Sequence, residues 1–164
     1  MKTNWINASN NKEARTDLRK AGRSHLEMRS EDFKFWMKHG TSKEDFDPKD
    51  DETYLPTGRQ VSEMFDINGD FYEYGLSVDY VTPGTFKNKA GYLRYQLSYG
   101  GPSEEIRFYF TQGAREAYKI EFVYLDWGVG VGFDVTNEDW AKWLFDWFND
   151  AGTVEAEVQK AFND

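Results

Sequence analysis

Aromatic side chains constrain the fold of this chain more than any other feature. The sequence has 13 Phe, 10 Tyr and 6 Trp among 164 residues, but no cysteine and only two histidines, His25 and His39. Aromatic residues in that number can fill a large core, because each one buries a large area when it packs. Disulfides, zinc-cysteine sites and thiol nucleophiles are excluded. Histidine-based general-base and metal sites are hard to build from two residues.

The length fits a single domain over 1–164. No stretch approaches the ~18 consecutive apolar residues that a membrane helix needs. The first residues also lack the apolar run of a secretory signal. We therefore expect a cytoplasmic protein without a membrane segment.

Four stretches alternate apolar and polar residues with the period of a half-buried strand. They are 72–80, 93–99, 106–111 and about 118–127. Connections of roughly 5–10 residues favour an antiparallel meander, since parallel crossovers need a dozen or more. On the exposed face of this sheet we expect cross-strand charge pairs. The residues concerned are Glu73, Asp79, Arg94, Arg107 and Glu121.

Capping residues and helical spacing predict helices on both sides of these strands. The predicted helices cover about 11–27, 30–40, 57–65, 136–149 and 153–162. Gly22 lowers helix stability by roughly 1 kcal/mol relative to alanine, which favours a break in the first of them. The fold class predicted is α+β, a mainly antiparallel four-stranded sheet with the N- and C-terminal helices packed on one face.

Two short motifs resemble ligand-binding sequences but do not match them. Gly128, Gly130 and Gly132 alternate along the chain, but Phe133 occupies the sixth position, where a dinucleotide loop needs glycine. On a strand these glycines would lie on one face and leave a strip without side chains, against which a helix or another backbone can pack closely. The segment 66–70 begins like a calcium-binding loop but continues with Phe71 in place of the turn glycine. We therefore expect no cofactor and no metal, although Asp66, Asn68 and Asp70 leave open whether a cation binds.

Charge is distributed unevenly along a chain whose net charge is −9. Residues 1–40 have nine Lys and Arg against five Asp and Glu, whereas residues 41–70 have three against nine. Segment 41–56 has few apolar residues and is expected to be an acidic loop or strap. A stripe of Arg15, Arg19 and Arg23 on the first helix is expected to pair with acidic segments of this chain or with an acidic partner.

The acidic segments are the strongest candidates for a functional surface, because spaced carboxylates can imitate nucleic-acid phosphates and enter a basic groove. The candidate partner-binding residues are Glu44, Asp45, Asp47, Asp50, Asp51, Glu52, Asp146, Asp150, Glu155 and Glu157. The partner expected is the basic surface of a host protein complex. Direct binding to nucleic acid is not expected, since the net charge opposes it.

A sequence resemblance also bears on the function of the chain. Residues 96–103, Gln-Leu-Ser-Tyr-Gly-Gly-Pro-Ser, and 125–128, Leu-Asp-Trp-Gly, resemble a pattern in small uncharacterised proteins carried by phages and plasmids. The resemblance covers the middle third of the chain. It implies a mobile-element accessory protein and supplies no catalytic residues.

The sequence thus leads to two functional hypotheses. The first is a non-enzymatic acidic binding protein that inhibits a host defence nuclease complex through a nucleic-acid-mimicking surface. The alternative is a small-molecule or carbohydrate-binding domain, or a hydrolase, that uses aromatics near the turn at 100–102 with Glu104, Glu105 and Asp126. We expect a monomer rather than a homodimer, provided that the N-terminal helices cover Trp140, Trp143 and Trp147.

Overall fold

Six antiparallel strands form one sheet in the computed structural model, which describes residues 1–46 and 53–163. The strands are β1 (Thr3–Ile6), β2 (Ser77–Val81), β3 (Tyr92–Ser98), β4 (Ser103–Tyr109), β5 (Lys119–Asp126) and β6 (Val129–Asp134). Their spatial order is β1-β6-β5-β4-β3-β2. From β2 to β6 each strand therefore lies beside its successor in the chain, and β1 closes the far edge.

The α+β class and the antiparallel sheet were predicted correctly, but the predicted number of four strands is wrong. The two strands missed are β1 and β6, which pair with each other along four residues. β1 is too short to show a period. β6 contains Gly130 and Gly132, and glycine weakens a strand because it has no side chain to pack.

The first predicted strand is also misplaced at its start. Phe71–Tyr74 forms a short helix, α3, and the strand begins only at Ser77. The ring centroids of Phe71 and Tyr74 lie 5.5 and 4.6 Å from that of Trp36. Helical spacing places these two rings on one side, whereas a strand would place them on opposite faces.

A single helix, α1 (Lys12–His39), replaces the two helices that were predicted here. Asn11 caps it by accepting a hydrogen bond from Ala14 N at 2.9 Å, and Gly40 ends it with φ 96°. Ser30, the predicted second cap, donates its hydroxyl to the Glu27 carbonyl instead.

Gly22 does not break α1, because it is the point at which the helix touches the sheet. A Cβ atom added at Gly22 would lie 2.9 Å from side-chain atoms of both Val131 and Phe133. Both of these residues are fully buried. The glycine therefore allows a close approach whose packing more than offsets its poor helix propensity.

The remaining helices lie near their predicted positions. A 3₁₀ turn (Val61–Glu63) leads into α2 (Met64–Asn68), which extends past the predicted end before Asp66. The C-terminal helices are α4 (Asp139–Asp150) and α5 (Thr153–Asn163). Among the described residues, none of the helices combines the length and apolarity that crossing a membrane requires.

The helices at both ends of the chain pack on one face of the sheet, as predicted. On β4, Phe108 stacks on Phe145 of α4 at 5.4 Å, and on β2, Tyr80 contacts Phe162 of α5 at 5.8 Å. Helices α1 and α4 join through Phe33 and Trp140, whose stacked rings lie 5.4 Å apart. The aromatic residues therefore form the core between helices and sheet.

The other sheet face carries charge, but its pairs differ from those predicted. Arg94 on β3 forms two hydrogen bonds with Asp79 on β2, at 2.9 and 2.7 Å, as expected. Arg107 instead binds Glu105 of its own strand at 3.2 Å. Two of the predicted residues are not on an exposed sheet face at all: Glu73 is in α3, and Glu121 is buried.

Replacing Gly22 with valine tests the close approach of α1 to the sheet. Gly22→Val should lower the free energy of unfolding by about 2 kcal/mol, since overpacking a filled core typically costs ~1–3 kcal/mol. Ser24→Val, at an exposed position of the same helix, should cost only a few tenths of a kcal/mol. Denaturant unfolding measures both values, and equal losses would contradict the packing role of Gly22.

Candidate functional site

Two of the predicted partner-binding carboxylates lie on a short 3₁₀ helix, Lys43–Asp45, that begins shortly after α1 ends. Lys43 fixes this helix to the turn after α2: its backbone N–H donates to Asp70 at 2.8 Å, and its Nζ lies 2.7 Å from Asp66. These contacts bring two parts of the chain together into one acidic surface. Its members are Glu44, Asp45, Asp66, Asp70 and Glu73.

The acidic surface surrounds an exposed tyrosine, Tyr72. Tyr72 is 73% exposed. The negative charges of Glu73 and then Asp70 raise the pKa of its hydroxyl, and Glu44 contributes as well. Among the described residues, Lys43–Asp66 is the one ion pair of this surface, and as an exposed pair it adds little stability.

Four other predicted residues of this segment, Asp47, Asp50, Asp51 and Glu52, lie outside the described residues. Of the segment 41–56, predicted to be an acidic loop, the structure describes 41–46 and 53–56. At the C-terminal end, Leu55 N–H donates to the Arg59 carbonyl at 2.8 Å. This bond makes a tight turn of residues 55–59.

The C-terminal carboxylates occur in three different settings. Asp150 and Glu155 line a groove of about 430 Å³ between the α4–α5 turn and the β4–β5 loop, and Asp150 lies 3.5 Å from Arg115. Asp146 lines a separate hollow, and Glu157 is half-buried on α5. In the described part of the chain, no hydrogen bond or ion pair joins them to the acidic surface.

The calcium-loop-like segment uses its polar side chains for contacts within the protein. Asp66 and Asp70 both bind Lys43, while Asn68 donates to the buried Asp32 at 2.9 Å. Over residues 1–46 and 53–163, no group of three or more histidine and acidic side chains could hold a metal ion.

A group of buried carboxylates against α1 was not predicted from the sequence. Glu104 of β4 accepts hydrogen bonds from Arg29 at 3.1 and 2.7 Å and from Ser98 at 2.8 Å. His25 Nδ1 lies 3.1 Å from the same carboxylate. Burial alone would raise the pKa of the Glu104 carboxyl, but its bonds to Arg29, with Ser98 and His25, lower it below its ordinary value.

One turn further along α1, a second buried carboxylate extends this network. Asp32 accepts hydrogen bonds from Arg59 at 2.6 Å and from the Tyr74 hydroxyl. Burial, followed by the charge of Asp32, raises the pKa of Tyr74. Glu31 binds the Thr57 backbone and hydroxyl. Glu31 and Asp32 lie at the start of the predicted helix 30–40, and only the continuous α1 shows their actual contacts.

Two of the three carboxylates proposed for a hydrolase, Glu104 and Glu105, do not form a facing pair. Glu104 and Glu105 are adjacent on β4, so their side chains point to opposite faces of the sheet. Each is buried and bound to an arginine, Arg29 and Arg107 respectively. Neither is free to act on a substrate together with the other.

The two turns that carry the family resemblance lie side by side. Trp127 and Gly128 both have positive φ, 51° and 84°, as a two-residue type I′ hairpin requires. A Cβ atom added at Gly101 would lie 3.3 Å from the Trp127 indole. Trp127 is 90% exposed, and Tyr99 beside the other turn is 85% exposed. The aromatics predicted near the turn at 100–102 are therefore present, but on an open surface.

Next to these turns, the first two turns of α1 form one wall of a groove of about 470 Å³. Tyr124 and Asp126 line it from β5, and Asp17 and Leu18 line it from α1. The ring centroid of His25, from the next turns of α1, lies 4.9 Å from that of Tyr124. The arrangement offers carboxylates and an aromatic ring in one concave site.

The pairing predicted for the basic stripe of α1 is not seen within the described residues, and its pairing with an acidic partner stays a prediction. Arg15 donates to the Ser9 carbonyl at 2.7 Å, and Arg15 and Arg19 both lie over the Trp5 ring at about 5 Å. In the described part of the chain, no ion pair joins Arg15, Arg19 or Arg23 to a carboxylate. The molecule therefore carries a basic surface on α1 in addition to its acidic one.

Comparisons with protein-family models, with curated proteins and with solved structures find no match to this chain.

Glu104→Gln tests the buried network. We expect a loss of about 3 kcal/mol in the free energy of unfolding at pH 7, because the mutation leaves Arg29 buried without its counter-charge. The folded-state pKa of Glu104 lies below its ordinary value of 4.5, so its contribution is present at neutral pH. That contribution is lost as the pH falls through the ordinary value and then the lowered one.

The stability difference between the wild type and Glu104→Gln should therefore shrink in acid. Urea unfolding at a series of pH values from 7 to 3 measures it. Glu13→Gln, at an exposed carboxylate, should stay within ±0.5 kcal/mol of the wild type throughout. A difference for Glu104→Gln that is constant over this range would contradict the ion pair.

Proposed function

We propose that this protein is a non-enzymatic binding protein whose acidic surface docks on a basic surface of a macromolecular partner. The observation that carries the proposal is the negative charge gathered around an exposed aromatic ring, Tyr72, whose hydroxyl pKa that charge raises. Binding interfaces commonly join an aromatic anchor to a polar rim in this way.

The composition of the acidic surface supports docking rather than solubility alone. Ile67 and Tyr72 expose 52% and 73% of their surface within it. Exposed apolar side chains gain free energy when a partner covers them, while the surrounding carboxylates steer a basic partner into place. In the sequence, the segment that follows Phe46 adds four further carboxylates, Asp47, Asp50, Asp51 and Glu52.

Under this proposal the partner is a protein that normally holds nucleic acid. A groove lined by lysine and arginine attracts phosphates, and carboxylates on a folded surface can occupy it in their place. The resemblance to phage- and plasmid-borne proteins suggests a host defence nuclease complex as that partner. The protein would then act as an inhibitor by excluding the nucleic acid.

Charge reversal on the acidic surface tests the proposal. The triple variant Glu44→Lys, Asp45→Lys, Glu73→Lys should lose its partner in affinity capture from a host lysate, since attraction becomes repulsion. A second variant that reverses Asp47, Asp50, Asp51 and Glu52 tests the adjoining segment. Bound proteins are identified by mass spectrometry at low and at raised salt.

The matched control reverses Glu13, Glu27 and Asp139, which are exposed and lie elsewhere in the chain. Both triple variants change the net charge from −9 to −3, so a difference between them reports position and not total charge. Mimicry further requires that duplex DNA elute the captured partner. Capture that survives the first variant, or that DNA does not compete with, would contradict the proposal.

We also propose that the protein acts as a monomer. Phe71 lies 5.4 and 5.1 Å from Trp143 and Trp147, so α3 covers much of the apolar side of α4. Trp140 is fully buried, and Trp147 remains 37% exposed. Light scattering should give the mass of one chain, 19.2 kDa. A dimer that Trp147→Glu converts to a folded monomer would contradict this expectation.

A further inference from the structure

The groove beside Tyr124 has the size and shape of a small-molecule site. Its volume of about 470 Å³ lies within the range of ~300–1,000 Å³ that ligand pockets occupy. Small apolar groups form much of its lining, and polar side chains stand among them. The apolar residues are Ala8, Ala14, Leu18, Ala21 and Val129.

The polar lining includes two carboxylates and one guanidinium, that of Arg15. Asp17 of α1 and Asp126 of β5 both line the groove. In the described part of the chain, neither carboxylate forms an ion pair or a side-chain hydrogen bond. A pocket that keeps two carboxylates without partners suits a ligand that supplies positive charge.

Tyr124 adds an aromatic group to the same space. The residue is only 6% exposed and packs against His25, which Glu104 and Arg29 in turn hold in place. Burial and then the charge of Asp126 raise the pKa of its hydroxyl, which places the negative field of that carboxylate at the ring. Cations are attracted to aromatic rings, and more strongly when water is excluded.

The one cation of the lining, Arg15, is already engaged. Its Nε donates to the Ser9 carbonyl at 2.7 Å, and its Nη2 donates to Asn10 at 3.1 Å. Its guanidinium also lies 5.0 Å from the centre of the Trp5 ring. These contacts hold the loop before α1 in place as a wall of the groove. Arg15 therefore contributes to the shape of the site, and the two carboxylates supply its negative charge.

From this geometry we infer that the groove binds an organic cation, a protonated amine on an apolar body. The ammonium group lies between Asp17 and Asp126, and the apolar body packs on Leu18 and the alanines of α1. The site is separate from the acidic surface around Tyr72, so this inference and the proposed function can fail independently.

Phenethylamine, protonated at pH 7, is a suitable probe for calorimetric titration of the full chain. It should bind saturably and at least about tenfold more tightly than 2-phenylethanol, which has the same shape without the charge. Asp126→Asn should weaken binding of the amine by at least about tenfold and leave binding of the alcohol unchanged. Asp139→Asn, an exposed carboxylate on α4, is the matched control and should bind like the wild type.

Three results would overturn the inference. The first is equal binding of amine and alcohol, or no saturable binding of the amine at millimolar concentration. The second is a loss of affinity for the amine in Asp139→Asn that equals the loss in Asp126→Asn. The third is tighter binding of phenylalanine than of the amine, because that would show a site for zwitterions that uses Arg15. Circular dichroism confirms that each variant is folded.

Discussion

The contact between α1 and the sheet is the constraint on which the rest of the structure depends. At Gly22 the helix backbone comes close to Val131 and Phe133, and no side chain separates them. From there α1 runs past Glu104 to the aromatic cluster of Phe33 and Trp36. This helix places two of the surfaces: its first turns form a wall of the groove beside Tyr124, and the residues after its end begin the acidic surface.

Buried charge fixes how α1 lies on the sheet. An apolar contact tolerates small shifts, because dispersion and the hydrophobic effect have little direction. The bidentate pair of Arg29 and Glu104 does not tolerate such shifts, since a buried carboxylate that loses its partner carries a large desolvation cost. The pair formed by Arg59 and Asp32 fixes the position of the turn at 55–59 against α1 in the same way. Packing therefore supplies the stability, and the ion pairs select the geometry.

The fold was predictable where one local signal dominated. Alternation over 93–99 gave β3 within one residue of its observed bounds, because the strand has one face on the aromatic core and one polar face. Alternation over 106–111 found β4 but placed it two to three residues too far along the chain. The signal failed where two periods coincide. Tyr72 and Tyr74 have the spacing of a strand, whereas Phe71 and Tyr74 have that of a helical turn, and packing on Trp36 decided for the helix. It failed as well at β6, where glycines hid the pattern.

Of the candidate sites, the sequence determined the charges but not their neighbours. Composition alone shows that the chain is acidic, and local order places Glu44 and Asp45 together in the chain. That Asp66 and Asp70 join them follows only from Lys43, which reaches across more than 20 residues of sequence. Likewise Asp17 and Asp126 line one groove because α1 lies against β5. Local periodicity is fixed by neighbours in the chain, whereas a site is made of residues distant in sequence, and only tertiary packing brings them together.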